Sequence, residues 1–288
     1  MNVSTSSAQS PGNRMRAALR QGQIKPFIGV YDVFSAGLAG RHYDALFLSG
    51  FGFAASFYGL PDIGFITWSD MVSYVQRSRT VLPAHHLLVD IDDGYTDPDV
   101  ACHVVSVLED QKRPRRCGHF DGKQIMDLDD YLAKLRQVLA TRRDLFVIAR
   151  TDSSDPADIE RRVLAFGEAG ADAVLVDGLT SLDSVRRLSA KASRPFCFNQ
   201  ISGGKSPALT LTELRDAGVQ VAIYSTPCLF AAQAAIEGAM TDLKNADGSL
   251  EGSRVGVKDC TRILSDSLAR RAAPQITVQA SDSGKTAK

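Results

Sequence analysis

Short apolar runs alternate with helix-forming segments along most of this chain, and no hairpin turn separates them. Phe27–Tyr31, Ala45–Leu48, His86–Val89, Leu145–Ala149, Ala173–Val176, Phe196–Phe198 and Val219–Tyr224 read as strands. Helices are expected over Phe34–Arg41, from Thr67 or Ser69 to Val81, and over Asp127–Ala140, Pro156–Ala169, Leu182–Ala192 and Leu229–Leu243. Another opens at the capping box Thr210–Glu213 and stops at Gly218. Strands joined through helices pair in parallel, in a sheet covered by those helices. In 288 residues this rhythm favours an α/β fold of the (β/α)8 type over a doubly wound sheet, since about 250 residues is typical of the barrel.

Polar residues collect just after the strands: Tyr31-Asp32, Ser49-Gly50, Asp90 with Asp92, Arg150 with Asp152, Asp177, Asn199 and Ser225-Thr226. In a barrel these ends meet at one mouth. Side chains alternate along a strand, so Asp90 and Asp92 point to one side and Ile91 to the other. Two carboxylates at a buried strand end suit Mg²⁺, which takes few protein oxygens and keeps several waters. The same residues also fit an acidic turn capping the next helix through Asp97 or Asp99. Further on, Lys112, Arg113, Arg115 and Arg116 flank Cys117, which predicts a thiol of lowered pKa; the alternative is a solvated basic loop. Cys117-Gly118-His119 has no second pair at zinc-ligand spacing. Gly203-Gly204-Lys205-Ser206 is not a phosphate loop, because position 199 is Asn rather than Gly.

Composition narrows the classes. Lys+Arg and Asp+Glu are both 33, giving zero net charge, so nothing marks a nucleic-acid or membrane surface. The hydrophobic share of 44% supports a large core, and five scattered cysteines suit a reducing, cytoplasmic setting. No stretch resembles a signal peptide. Residues 1–13 and 273–288 are expected to be disordered tails around one domain over 14–272.

Taken together, Val30-Tyr31-Asp32, Leu48-Ser49-Gly50, Gly59-Leu60-Pro61-Asp62, Val89–Tyr95, Glu109-Asp110-Gln111, Arg116-Cys117-Gly118-His119, Ala149–Asp152 and Asn199 with Gly203–Pro207 resemble the isocitrate lyase/phosphoenolpyruvate mutase superfamily. The Cys-Gly-His loop is similar to that of its carbon–carbon lyases. The loop after Asn199 is similar to the branch acting on 2-methylisocitrate, 2-alkylmalates or oxaloacetate. The resemblance implies Mg²⁺ (or Mn²⁺) at Asp90 and Asp92 with Glu109 as an outer partner. It implies Cys117 as acid/base, with Tyr31, His119 and Arg150 in the catalytic set. Substrate binding falls to Ser49, Gly50, Phe51, Arg116, Arg150 and Asn199, with the Ser49 and Gly50 N–H groups receiving a carboxylate. It also implies a homo-oligomer, a dimer or tetramer exchanging C-terminal helices. Local readings stand beside these: Tyr31 as core, Arg150 paired with Asp152, Asn199 capping a turn.

The expected activity is therefore lysis of a small 2-hydroxy di- or tricarboxylic acid. Oxaloacetate hydrolysis and phosphoenolpyruvate-type P–C chemistry are the alternatives. One stretch reads against it. Asp92 and Glu109 are too close in sequence for a loop, a helix over Pro98–Leu108 and a strand. The barrel is thus expected either to lack its fourth strand and lose stability, or to rebuild it from Val104–Leu108 by giving up that helix, drawing Glu109 from the metal; both would impair catalysis.

Overall fold

The computed structural model describes residues 10–94, 107–249 and 255–272. Eight parallel strands form one sheet: β1 (Lys25–Val30), β2 (Ala45–Leu48), β3 (His86–Val89), β4 (Val107–Glu109), β5 (Ile148–Thr151), β6 (Ala173–Val176), β7 (Phe196–Gln200) and β8 (Val219–Tyr224). Their order is β3-β2-β1-β8-β7-β6-β5-β4, the order of a (β/α)8 barrel opened between β3 and β4. That seam is drawn together by a parallel bridge between Asp90 and Val107. Across it, Ile91 donates its N–H to the Val107 carbonyl at 3.4 Å, and Glu109 donates to the Asp92 carbonyl at 3.0 Å.

The fourth strand is therefore present, and the expectation of a barrel without it is corrected. Val107 and Leu108, expected at the end of a helix, instead pair with Ile148 and Ala149. Three residues suffice because both flanking strands are short. The rest of that expected helix, with Asp97 and Asp99, falls outside the described residues, as do the ends 1–9 and 273–288 of the expected tails. Residues 11–13 are not a tail: Pro11 opens the helix Pro11–Leu19, at a position where its missing N–H costs nothing.

Two apolar layers follow from the period of two along each strand. Ala45 and Phe47, Leu88, Val107, Ile148, Ala173 and Leu175, Cys197, Val221 and Ile223 fill the barrel, with Met15 and Leu19 of the first helix closing its floor. Leu46 and Leu48, Ala149, Val174 and Val176 face outward under the helices. Both faces are buried, so the strands read as continuous apolar runs. Among the outer helices, Trp68–Val81 is capped by Thr67, Pro156–Glu168 by Asp155 and Leu211–Asp216 by Thr210. Pro227–Asn245 follows β8 and buries none of its residues; Val257–Ala272 packs on the helices Val33–Ala39 and Trp68–Val81. No helix among the described residues is long and apolar enough to cross a membrane.

Candidate active site

Two residues beyond the last inward apolar side chain of every strand but β1, the next inward position is polar. Phe47 leads to Ser49, Leu88 to Asp90, Val107 to Glu109, Ile148 to Arg150 and then Asp152, Leu175 to Asp177, Cys197 to Asn199, and Ile223 to Ser225. All these polar residues are buried. A cavity at this end is lined by Ser49, Phe51, Asp90, Cys117, Arg150 and Asn199, among others.

One half of the mouth is organised by Arg115, which is 1% exposed and sits among carboxylates. Its guanidinium pairs with Asp62, with Asp92 at 2.8 Å and with Glu109 at 3.0 Å. Asp92 turns into the left-handed region at φ 54°, a conformation Asp tolerates better than most residues. Its backbone N–H donates to Asp90 Oδ1 at 3.2 Å. Both carboxylates face Gly50: a Cβ there would lie 3.3 Å from Asp92 Oδ1 and 3.5 Å from Asp90 Oδ2. Burial pushes Asp92 up to about 7 against the pull of Arg115, with Asp90 and Asp62 adding repulsion. Burial also raises Asp90 and Glu109, although Arg150 and Arg115 oppose it at both.

Among the described residues, both oxygens of Asp92 and Oε2 of Glu109 are buried without a hydrogen-bond donor, Arg115 and Arg150 meeting them only as ion pairs. Acceptor-only oxygens left this way fit a hard cation. Among the described residues no three His, Cys, Asp or Glu side chains converge as a ready ligand set. The residues thus fit a cation bound by few carboxylates and several waters, and Glu109, held by Arg115, fits an outer partner.

The other half is built around Arg150. Its Nε and Nη2 donate to the two oxygens of Asp152 at 2.8 and 2.9 Å. Nη2 also lies 2.9 Å from Asp177 and 3.3 Å from Glu109. The pairing with Asp152 is therefore realised, at the cavity wall. Burial alone would raise Asp177, but Arg150, His119 and Asn199 hold it well below the usual carboxylate range. Asn199 donates to Asp177 at 3.0 Å and accepts from the Ser225 hydroxyl at 2.6 Å. Asp110 accepts from the Asp152 N–H and from Arg162, both at 3.0 Å.

The loop carrying Cys117 lies over both halves. Gln111 grips it twice, its side chain accepting from the Arg116 N–H at 3.0 Å and donating to the Arg116 carbonyl at 2.7 Å. Gly118 packs so closely that a Cβ would come within 1.9 Å of Asp177 and 2.6 Å of Arg150. His119 lies 3.4 Å from Asp177 through Nε2.

Five expectations are corrected here. The Cys117 thiol is not acidified by its neighbours in sequence. Burial pushes it up to about 11, and Asp62 and Asp177 reinforce this against the His119 N–H and Arg150. Arg113 is spent on Asp93 and Arg115 on its three carboxylates. Arg116 is exposed, donates to the Asp121 carbonyl at 3.2 Å and does not line the cavity. Tyr31 lines a separate groove with Phe53, Asp70 and Tyr74. The Ser49 N–H is occupied by the Val30 carbonyl at 3.3 Å, which leaves Gly50, first in its helix, with no intrahelical acceptor. Glu109 stays beside Arg115 and Asp92 instead of being drawn away. Arg162 escaped notice, although it falls between Ile159, Val163 and Phe166 on the apolar stripe of its helix, where a lone cation signals a buried partner.

Comparison with known proteins agrees with this architecture. The family model described as phosphoenolpyruvate phosphomutase matches residues 15–244. The chain belongs to that family. It is 33% identical over 270 residues to the 2-methylisocitrate lyase of Salmonella typhimurium (strain LT2), covering 88% of this chain and 90% of that one. A crystal structure of 2,3-dimethylmalate lyase, a member of the PEP mutase/isocitrate lyase superfamily, superimposes with a TM-score of 0.84 at 29% identity, over 90% of this chain and 94% of that one. An oxaloacetate acetylhydrolase bound to 3,3-difluorooxalacetate also gives 0.84, at 28% identity over 90% and 95%. The superfamily resemblance and the barrel thus hold, and the fold carries lyases and a hydrolase on closely similar frames.

Proposed function

We propose that this family member is a divalent-metal-dependent carbon–carbon lyase acting on a small 2-hydroxy di- or tricarboxylic acid of the 2-methylisocitrate or alkylmalate type. The observation that carries the reading is the buried Cys117 thiol lining the same cavity as Asp90 and Arg150, where burial favours its protonated form. Cleaving the C2–C3 bond of a 2-hydroxy acid moves the hydroxyl proton to a base and leaves a 2-oxo acid. The bonding pair remains on the departing acid as an enolate-like carbanion, which must then take a proton. A thiol still protonated well above neutrality supplies it. Arg150, preset by Asp152 and Asp177, receives a substrate carboxylate. His119, Asn199 and the Gly50 N–H position the remaining oxygens. Asp90 and Asp92, with Glu109 behind them, would hold Mg²⁺ or Mn²⁺, which polarises the oxygens of the 2-oxo acid half when bound.

The cavity measures about 30 Å³, room for a water or two. A dicarboxylic acid needs more room, which a shift of the Cys117 loop would supply. The apolar residues Ile236, Met240, Leu264 and Leu268 exposed on the last two helices support a homo-oligomer, which light scattering would test.

A second reading, hydrolysis of oxaloacetate, is favoured by Ser225. A hydrated 2-oxo acid carries two hydroxyls on C2, and the Ser225–Asn199 pair offers a partner for the second. Incubating the protein and Mg²⁺ with 2-methylisocitrate, 2,3-dimethylmalate and oxaloacetate, with mass spectrometry of the products, decides between them. A 2-oxo acid plus a second acid is expected; oxalate plus acetate points to the hydrolase, and no product from any acid overturns both.

A further inference from the structure

A second cluster of cations lies at the opposite end of the barrel and takes no part in this chemistry. A cavity of about 60 Å³ opens where the first helix meets the beginning of β3, lined by Arg14, Arg79, His85 and His86 beside Phe27 and Phe146. Asp144 lines it as well, and this carboxylate and the neighbouring Asp44 are already engaged. Asp144 accepts from the Gly12 N–H at 3.1 Å and pairs with Arg16 at 3.2 Å, and Asp44 pairs with Lys25. Arg14 Nε and His85 Nδ1 are buried with no hydrogen-bond partner among the described residues. Burial and the charge of Arg14 lower Arg79, with no carboxylate among the described residues opposing them; its Nη1 donates to the Leu82 and His85 carbonyls at 3.1 and 2.7 Å, which leaves its other nitrogens for a ligand. His86 is lowered by burial and by Lys25, Arg14 and Arg79, with Asp44 opposing. Residues 1–9 contain no Asp or Glu, so the stretch before Ser10 brings no side-chain carboxylate here.

We propose that this cavity is a binding site for a small oxyanion, of the carboxylate or phosphate class, held by Arg14 and Arg79. Such a ligand gives the unpartnered guanidinium donor an acceptor and offsets the repulsion between the two arginines. His85 completes the contact. Its Nε2 lies 2.9 Å from the Gly40 carbonyl, which can only accept, so Nε2 carries a proton. Nδ1 then accepts from a protonated ligand oxygen, or donates to an ionised one when the ring is charged. The site lies under the helix that closes the barrel floor, so occupancy is read as stability rather than turnover.

The test is thermal unfolding of the full chain with inorganic phosphate or acetate titrated at constant ionic strength against chloride. One anion should raise Tm saturably, by about 2–4 °C at tenfold excess over its Kd, and the one that does identifies the class. Arg14→Met should abolish the rise, and Arg14→Lys should retain it with a midpoint several-fold higher. A saturable rise that persists in Arg14→Met belongs to another site and overturns the proposal, as does no rise with either anion. Should Arg14→Met fail to fold, an unchanged midpoint in Arg14→Lys overturns it equally.

Discussion

The backbone N–H of Lys205 donates to Nδ1 of His119 at 2.9 Å. In the neutral ring this fixes the proton on Nε2, the nitrogen facing Asp177 at 3.4 Å. The loop after β7 thus sets the tautomer of a residue on the loop after β4. Gly204 permits the approach, since a Cβ there would come within 2.4 Å of the ring. Gly204→Ala should therefore displace His119 and lower kcat/KM by about 10²-fold, as misplacement of a positioned group does. Stability should change little, because Gly204 lies in a surface loop. Steady-state kinetics beside a chemical melt check this, and unchanged kcat/KM would remove His119 from the mechanism.

Cys117→Ser should leave substrate affinity nearly intact and slow turnover by about 10²–10⁴-fold, the span of general acid catalysis. The wild-type thiol, raised to about 11, should also alkylate slowly at neutral pH, gaining rate only as pH approaches that value. Iodoacetamide labelling followed by mass spectrometry reads this directly. Rapid alkylation at pH 7 would contradict a buried, protonated acid.

Asp92 should carry the pH dependence of the proposed Mg²⁺ binding. Burial pushes its carboxyl up to about 7, above the ordinary Asp value, so the native state binds more protons there than the unfolded chain. The stability contributed by Asp92 is present below the unfolded value and is lost as pH rises through about 7. A cation competes with that proton, so the rise in Tm caused by Mg²⁺ should be small at pH 5.5 and full at pH 8. Asp90→Ala and Asp92→Ala should each abolish it, together with activity. An Mg²⁺ effect independent of pH would place the ion elsewhere.

Arg115→Met should destabilise the fold by about 3–5 kcal/mol, the cost of breaking a buried ion pair from one side. Asp62, Asp92 and Glu109 would be left facing one another. Mg²⁺ should restore part of the loss, because it meets the same carboxylates. Urea melts with and without Mg²⁺ measure both effects, and a loss under 1 kcal/mol would mean that Arg115 is incidental.

Much of this was legible from alternation alone. The apolar-then-polar step at Leu88 and Asp90, Leu175 and Asp177, or Cys197 and Asn199 places an acid or amide at the mouth whatever the details of the loops. What failed was inference from nearness in sequence. Arg115 and Arg116 adjoin Cys117 along the chain, yet one is drawn inward by three carboxylates and the other outward to Asp121. Their charges are thereby spent away from the thiol, and burial decides its pKa. Tyr31 follows β1 just as Ser49 follows β2, but it lines a different groove. The fourth strand stayed in doubt between Val104–Leu108 and a gap because three residues pairing with β5 carry no pattern that sequence alone separates from the end of a helix.

The Asp90–Val107 seam has a mechanical consequence. Everywhere else around the barrel neighbouring strands share a ladder, but here the wall is fastened by one bridge, by the Glu109 N–H on the Asp92 carbonyl, and by Arg115, which reaches from Asp92 on one lip to Glu109 on the other. The cylinder therefore has a clasp, and the clasp is made from the residues that would grip the metal. Opening and loading become one motion: whatever draws Arg115 off its carboxylates also slackens the wall. Amide exchange at Val107–Glu109 should then follow the occupancy of the mouth, while the ladder between β7 and β8 stays shut.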